Sequence, residues 1–415
     1  MKILTLTPYI YNVDYPEHQK NKTGFGIMVA GIIDSFCNQG HEVYVLTHTL
    51  CRARDSGRCH IVSHKLIDLI SHARIHGIVN ALNEFWHAES LIFSRLRFLY
   101  YFVDSGYAKR LIRKIQPDIV HIHGLGPGTI NYINACKEVR LPFVVTIHGL
   151  LQNDPTVSKY DLAVEKRLLS NFGENNIPLT AISCGIKRRL TNTYYGLRSA
   201  ENVTVITNGT DVSPKPPYRD IKKELGVSSS HKLCLAVGSV CSRKNQIQIL
   251  RAIALMPHDF RQRVRLIIIG TICSNYPIFA NIKELGLEDT TTVTGFIPHE
   301  ELHNYYAAAD LNILASHDEG FGLSIIEGFV YGVPSVTFSD LDAISDLYDE
   351  KAMVLCDERS DEAFSKKIRF ALEKQWDREA IKEYSKKFSM ESMTEKYISV
   401  FKQEIAKHNC KKLPA

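Results

Sequence analysis

Short, almost wholly apolar runs alternate along this chain with longer segments whose apolar residues recur every three to four positions. "KILTLTP" (2–8) and "HEVYVLT" (41–47) are of the first kind. Between them "GIMVAGIIDSFCNQG" (26–40) is of the second, and it ends on a glycine suited to closing a helix. "DIVHIHG" (118–124), "FVVTIHG" (143–149), "PLTAIS" (178–183) and "VTVITNG" (203–209) continue the strand series. Strands that are apolar throughout, and separated by helices, predict a parallel sheet covered on both faces.

The stretch "TDVSPKPPYRD" (210–220) interrupts this grammar with three prolines and reads as a linker. After it the pattern restarts. "KLCLAVGS" (232–239), "RVRLIIIGT" (263–271), "TTVTGF" (291–296), "LNILAS" (311–316) and "PSVTFS" (334–339) are strands; "NQIQILRAIALM" (245–256) and "EELHNYYAAAD" (300–310) are helices. The last stretch, from Ala363 on, reads as successive helices. The pattern alone therefore predicts two doubly wound α/β domains, 1–212 and 213–385, with a terminal helical segment 386–415 packing back on the first. Glycines and polar residues gather just after the strands, at Gly124, Gly126, His148, Gly149, Gly209 and Gly238. Open parallel sheets bind ligands at those ends, so the two sheets are expected to face each other across a cleft.

Bulk properties narrow the class. At 415 residues two domains are the default, and 45% hydrophobic with 23% charged residues is a folded chain's composition. A formal charge of +5 does not suggest a nucleic-acid binder, though it suits phosphates or an anionic membrane surface. The ten cysteines lack paired spacing and often sit in apolar runs, as expected of reduced thiols in a cytoplasmic enzyme. His48, Cys51, Cys59, His60 and His64 cluster in sequence, but without a Cys-x2-Cys knuckle we read no zinc site. The N-terminus starts as a strand rather than a signal peptide, and no run of 18 apolar residues predicts a membrane span.

Candidate chemistry concentrates in "HDEGFGLSIIEGFVYGVPSV" (317–336). Gly320 and Gly322 precede a helical run, so backbone N–H groups at its start can approach an anion. Glu319 lies in the loop and Glu327 one to two turns into the helix, both placed to accept hydrogen bonds from sugar or ribose hydroxyls. The plain alternative is a cap and a solvated surface residue. In "GSVCSRKN" (238–245), Gly238 ends a strand and Arg243-Lys244 follows, a pairing that fits a diphosphate loop. His148 stands at a strand end, where a lone histidine is ordinarily structural; His121 and His123 are not read as catalytic. Asn208, Gly209 and Asp211 are expected to shape a wall of the cleft. Asp340 and Asp342 stand in a loop read as surface or cleft edge, and no Asp-x-Asp pair occupies a strand end where a metal clamp would need it.

"EGFGLSIIE" resembles the E-x7-E motif of retaining GT-B-fold glycosyltransferases, specifically glycosyltransferase family 4. "TGFGIMVAGIIDSFCNQGHEVYVLT", "VVTIHG", "VTVITNGTD", "AVGSVCSRKN" and "VTGFIPHEELHNYYAAADLNILAS" fall in that family's order, so the resemblance covers nearly the whole chain, most weakly from Cys51 to Tyr107. It implies a nucleotide-diphosphate-sugar donor, UDP favoured over GDP, held mainly by the second domain, and an acceptor held by the first. It places Glu327 on the ribose, Glu319 on the donor sugar, the backbone of Phe321, Gly322 and Leu323 near sugar and phosphates, and His148 by the anomeric centre. Gly24 and Gly26 would form a glycine loop, and Gly238, Arg243 and Lys244 would hold the diphosphate. Ser239 departs from the pattern, since many relatives carry arginine there.

What the resemblance implies is transfer of a sugar to an acceptor hydroxyl with retention, by a same-face route that needs neither cofactor nor metal. A GT-B-fold nucleotide-sugar epimerase and a non-catalytic binding subunit are the alternatives. The segment 85–116 mixes aromatics with Arg95, Arg97, Lys109, Arg110, Arg113 and Lys114. It reads either as a surface for an anionic inner leaflet and a lipid-linked acceptor, or as a packed helix pair with a solvated basic face.

Overall fold

The computed structural model describes all residues except 21, 66, 69–77, 80–81, 83–85, 87–105, 152–156, 195–202, 229 and 411–415. The chain divides into two compact units, one built from Met1–Gln152, Val157–Thr207 and Met390–Ala415, the other from Asn153–Thr156 and Asn208–Ser389. The sequence reading put these breaks at 212/213 and 385/386.

In the first unit, the strands are β1 (Lys2–Thr7), β2 (Glu42–Thr47), β3 (Arg54–Ser56), β4 (Cys59–Ile61), β5 (Ile119–His123), β6 (Phe143–Ile147), β7 (Leu179–Ala181) and β8 (Val203–Val205). Among the described residues they form one sheet in the order β3-β4-β2-β1-β5-β6-β7-β8. All its pairings are parallel except the β3–β4 hairpin. That hairpin turns at Gly57 (φ 57°) and lies within a polar stretch whose pattern did not predict it. It also disperses the cysteines and histidines clustered there in sequence. Cys51 and His64 pair through their backbones, while the His60 ring sits 2.5 Å from Asp55. Among the described residues no three His, Cys, Asp or Glu side chains converge as metal ligands would.

The helix Gly24–Asn38 packs Phe36 against His121 of β5 and against Tyr397 and Phe401 of the helix Met390–Cys410. Ser35 and Gln39 both reach Thr394, at 2.9 and 2.6 Å. The terminal helix is thus part of the first unit's core. A further helix, 106–115, buries Tyr107, Ala108, Leu111 and Ile112 and exposes Arg110, Arg113 and Lys114. The rest of the basic, aromatic stretch lies outside the described residues, apart from Trp86.

The second unit holds β9 (Lys232–Val237), β10 (Val264–Ile269), β11 (Thr291–Gly295), β12 (Leu311–Ile313), β13 (Ser335–Phe338) and β14 (Met353–Cys356), all parallel, in the order β11-β10-β9-β12-β13-β14. Strand periodicity sorts its side chains between two cores. Cys234, Ala236, Leu266 and Ile268 face a cluster with Ile249, Ile253, Phe338 and Phe364. Leu233, Leu235, Ile267 and Ile269 face another with Leu302, Tyr305 and Tyr306. Each leucine, isoleucine or phenylalanine among them removed from water contributes about 1.5–3 kcal/mol, which offsets the entropy of ordering the strands.

The proline-rich stretch read as a linker is instead fastened to the second unit. Thr210 N–H donates to Phe388 (2.8 Å), Lys215 N–H to the Tyr331 hydroxyl (3.1 Å) and Tyr218 N–H to Asn304 (3.0 Å). Proline's missing N–H groups left the other backbone donors to find partners, and they find them on this unit.

Candidate functional site

In the second unit the strand order reverses between β9 and β12. Such a reversal opens a crevice at the carboxyl edge of a parallel sheet, because the loops leaving the two strands diverge to opposite faces. The loop after β9 begins at Gly238 (φ 144°), a conformation that favours glycine. Gly270, at the end of β10, passes so close that a Cβ on it would lie 2.0 Å from the Gly238 carbonyl oxygen. The loop is then clamped by buried Gln246, whose amide donates to Ser239 O (2.9 Å) while its carbonyl accepts from Cys241 N–H (3.3 Å). Lys244 lies beside Gly238, with Cε 3.2 Å from where a Cβ would be.

The loop after β12 brings Glu319 to that lysine. Lys244 Nζ forms an ion pair with Glu319 Oε2, which also accepts from Ser316 Oγ at 3.3 Å. Both charged side chains are only 13% exposed, so the attraction is poorly screened. Burial pushes the Glu319 carboxyl up, but Lys244, Arg243 and the hydrogen bonds outweigh it and hold the group below its ordinary value. Arg243 ties the two loops together: it donates to Asp318 O (3.0 Å) and its carbonyl accepts from His317 N–H (2.8 Å).

Gly322 (φ 88°) turns the chain into the helix Leu323–Val330. Phe321 is buried against Phe388, so only its backbone remains available to a ligand. One turn on, Glu327 accepts from two directions: His299 Nε2 lies 3.0 Å from Oε1, and Tyr306 donates to Oε2 at 2.9 Å. Here too burial raises the carboxyl's pKa, and the bonds to His299 and Tyr306 reverse it. His299, hydrogen-bonded to Glu327, is held above its ordinary value. A pocket opens beside this group, lined by Glu327, His299, Tyr306, Tyr331, Lys215 and Asp211 among others. Asp211 also accepts from Ser213 N–H at 3.0 Å. Asp340 is taken up by Arg359, whose guanidinium bonds both carboxylate oxygens at 2.7 and 2.8 Å.

In the first unit the reversal falls between β1 and β5, and the residues after those strands again meet. Gly24 and Gly26 do not form a loop. They open the helix Gly24–Asn38, capped by Thr23, whose Oγ1 accepts from Gly26 N–H at 3.2 Å. Thr23 is a strong cap, and its preference overrides the flexibility that two glycines suggest. Phe25, projecting from that first turn, meets Tyr9 at 5.0 Å and the His148 ring edge-on at 4.9 Å. His148 Nε2 lies 2.9 Å from His123 Nδ1. Burial pushes His148 down to about 3, so its imidazole is neutral across the physiological range. His121 bonds Thr146 (2.7 Å) within the core and is a structural residue.

Within each unit the structure thus brings together what sequence placed apart, Lys244 with Glu319 and Phe25 with His148. It adds His299, Tyr306, Ser316 and Gln246, which the sequence reading did not single out. Tyr306 sits in "HNYYAAAD", where helical spacing marks it as core, and its hydroxyl is the exception.

Two doubly wound units, each with its polar cluster at the strand-order reversal, define the GT-B class of glycosyltransferases. The family described as Glycosyltransferase Family 4 matches residues 23–214, and that described as Glycosyl transferases group 1 matches 218–388. The chain belongs to these GT-B glycosyltransferases. It is 23% identical over 270 residues to the putative teichuronic acid biosynthesis glycosyltransferase TuaC of Bacillus subtilis, covering 64% of each chain. The chain spans 53% to 56% of the length of the next curated relatives it matches. The fold is shared along its length with sucrose-phosphate synthase from Thermosynechococcus elongatus (TM-score 0.74, 17% identity, 98% of this chain and 100% of that one). It is likewise shared with Anabaena HepE in complex with UDP and glucose (TM-score 0.66, 17% identity, 97% and 100%).

Proposed function

We propose that this protein transfers a glycosyl group from a nucleoside-diphosphate sugar to a hydroxyl of a glycan or lipid-linked acceptor, with retention at the anomeric carbon and without a metal ion. The observation that carries the reading is the pair of largely buried carboxylates, Glu319 and Glu327, each held ionised by its own partners at the second unit's strand-order reversal. Ionised carboxylates accept strongly from the hydroxyls of a ribose or hexose. Glu327 is assigned to the ribose and Glu319 to the donor sugar, with the N–H groups at Gly322 and Leu323 facing the phosphates. UDP-sugars are favoured over GDP-sugars, in keeping with the UDP complexes of Anabaena HepE, which shares this fold. The teichuronic acid relative supports polysaccharide synthesis as the setting, and we place the enzyme in the cytoplasm.

As the glycosidic bond breaks, negative charge grows on the leaving diphosphate, and Lys244 and Arg243 supply the preorganised positive charge to meet it. Lys244 can turn from Glu319 toward a phosphate without leaving the carboxylate unpaired, because the sugar's hydroxyls replace it. In a same-face transfer the acceptor hydroxyl attacks the anomeric carbon as the phosphate leaves, and its proton passes to the departing phosphate oxygen. The neutral His148 fits a hydrogen-bonding role beside the anomeric centre and not that of an acid. Calorimetry with UDP- and GDP-sugars, then NMR of the product's anomeric configuration with chelator present, tests each part. Binding of neither donor class, or an inverted product, would overturn the reading. A new nucleotide sugar formed from donor alone would point to an epimerase.

A further inference from the structure

The loop that carries Arg243 and Lys244 also carries Cys241, and the extension of β10 carries Cys273. Val240 and Ile272 form a parallel bridge, with Val240 N–H donating to Thr271 (2.8 Å) and Cys273 N–H donating to Val240 (3.0 Å). Cys241 and Cys273 each stand one residue beyond this bridge, Cys241 where the chain bends into the turn. Paired extended segments lie about 4.8 Å apart, within the roughly 4.4–6.8 Å of Cα separation that a disulfide spans. Burial and the neighbouring Cys241 push the Cys273 thiol above its ordinary value, and Cys273 is exposed to solvent while Cys241 is half-buried.

We propose that Cys241 and Cys273 are a reversible disulfide site, oxidised by a small-molecule disulfide, that weakens donor binding when closed. The Cys273 thiolate attacks one sulfur of the oxidant, forming a mixed disulfide and releasing one small thiol. Cys241 then attacks the Cys273 sulfur, closing the intramolecular bond and releasing the second. Two electrons pass from the protein to the oxidant, and the two thiol protons end on the released thiols. A compartment rich in thiols reverses the reaction, as suits a regulatory bond.

The effect on binding follows from where Cys241 stands, and it rests on the assignment of Arg243 and Lys244 to the donor diphosphate. The Cys241 carbonyl accepts from Lys244 N–H (3.1 Å) and Asn245 N–H (3.0 Å), and its N–H is held by Gln246 (3.3 Å). A disulfide restrains this base of the turn against the extension of β10, so Arg243 and Lys244 lose the freedom to follow the diphosphate.

The test incubates the full-length reduced protein with glutathione disulfide and maps peptides without reduction. A Cys241–Cys273 linked peptide is expected, and its absence, or either cysteine linked elsewhere, overturns the site. UDP calorimetry before and after oxidation should show affinity falling about tenfold, the loss expected when a charge-assisted contact is weakened, and returning with dithiothreitol. Cys273→Ser should keep the reduced protein's affinity and lose the response, while leaving Cys37 and Cys59, a second pair of neighbouring thiols, free to react. Unchanged affinity in the linked protein would overturn the regulatory role. If the reduced protein binds no nucleotide, the donor assignment fails, while the peptide map still decides the disulfide.

Discussion

Glu327→Ala removes the acceptor that His299 and Tyr306 share, and it removes the contact assigned to the ribose. Donor affinity should fall by about 1.5–3 kcal/mol, measured by calorimetry, with turnover at saturating donor less affected because a ribose contact is made in ground and transition states alike. An unchanged affinity in a folded variant would reassign the residue. Lys244→Ala has a second consequence beyond lost turnover, because it strands Glu319 with its strongest partner gone. Breaking a buried pair costs about 3–5 kcal/mol, so the second unit should unfold at lower denaturant, and adding Glu319→Gln should recover part of the loss. The His299–Glu327 pair makes stability depend on pH. His299 is raised above 6.5, so its contribution is complete below that value and is lost as pH climbs through the raised one. Glu327 is lowered below 4.5, so its contribution is present above that value and is lost only as pH falls through the depressed one. Thermal melts of wild type and His299→Gln should therefore diverge most in mildly acidic buffer and converge toward alkaline pH. Equal spacing at all pH values would contradict an ionised pair.

At the scale of elements, the two strand series and the E-x7-E helix were legible because apolar periodicity and glycine placement are local signals. The carboxylates' partners were not, since His299 and Tyr306 meet Glu327 only through the sheet's topology. The Gly24–Gly26 segment and the β3–β4 hairpin escape the sequence pattern for different reasons. The first is a helix start chosen by Thr23. The second is a polar hairpin whose pairing with β2 supplies the order its own sequence lacks. Gly270 shows what spacing conceals altogether, for nothing in "LIIIGT" reveals that a backbone oxygen occupies its side-chain position. Gly270→Ala should destabilise the second unit by at least about 2 kcal/mol in urea unfolding, through the displaced carbonyl and the strained φ of 152°. A neutral result would mean that the β9 loop can move freely, and the clamp by Gln246 would lose its purpose.

For the whole molecule, none of the described helices is long and apolar enough to cross a membrane. The exposed Arg110, Arg113 and Lys114 on helix 106–115, with a formal charge of +5, suit an anionic leaflet. Co-sedimentation with phosphatidylserine vesicles should show binding that weakens as salt rises, and equal binding to neutral vesicles would rule out that surface. The return of Met390–Cys410 to the first unit bears on how the protein is made. Nearly all of the second unit comes from one stretch of chain, Asn208–Ser389, so during synthesis it can finish folding while the first unit still waits. Phe36 and His121 stay uncovered until Tyr397 and Phe401 leave the ribosome. The unit begun first is therefore the one completed last, and it is where a nascent chain most needs a chaperone.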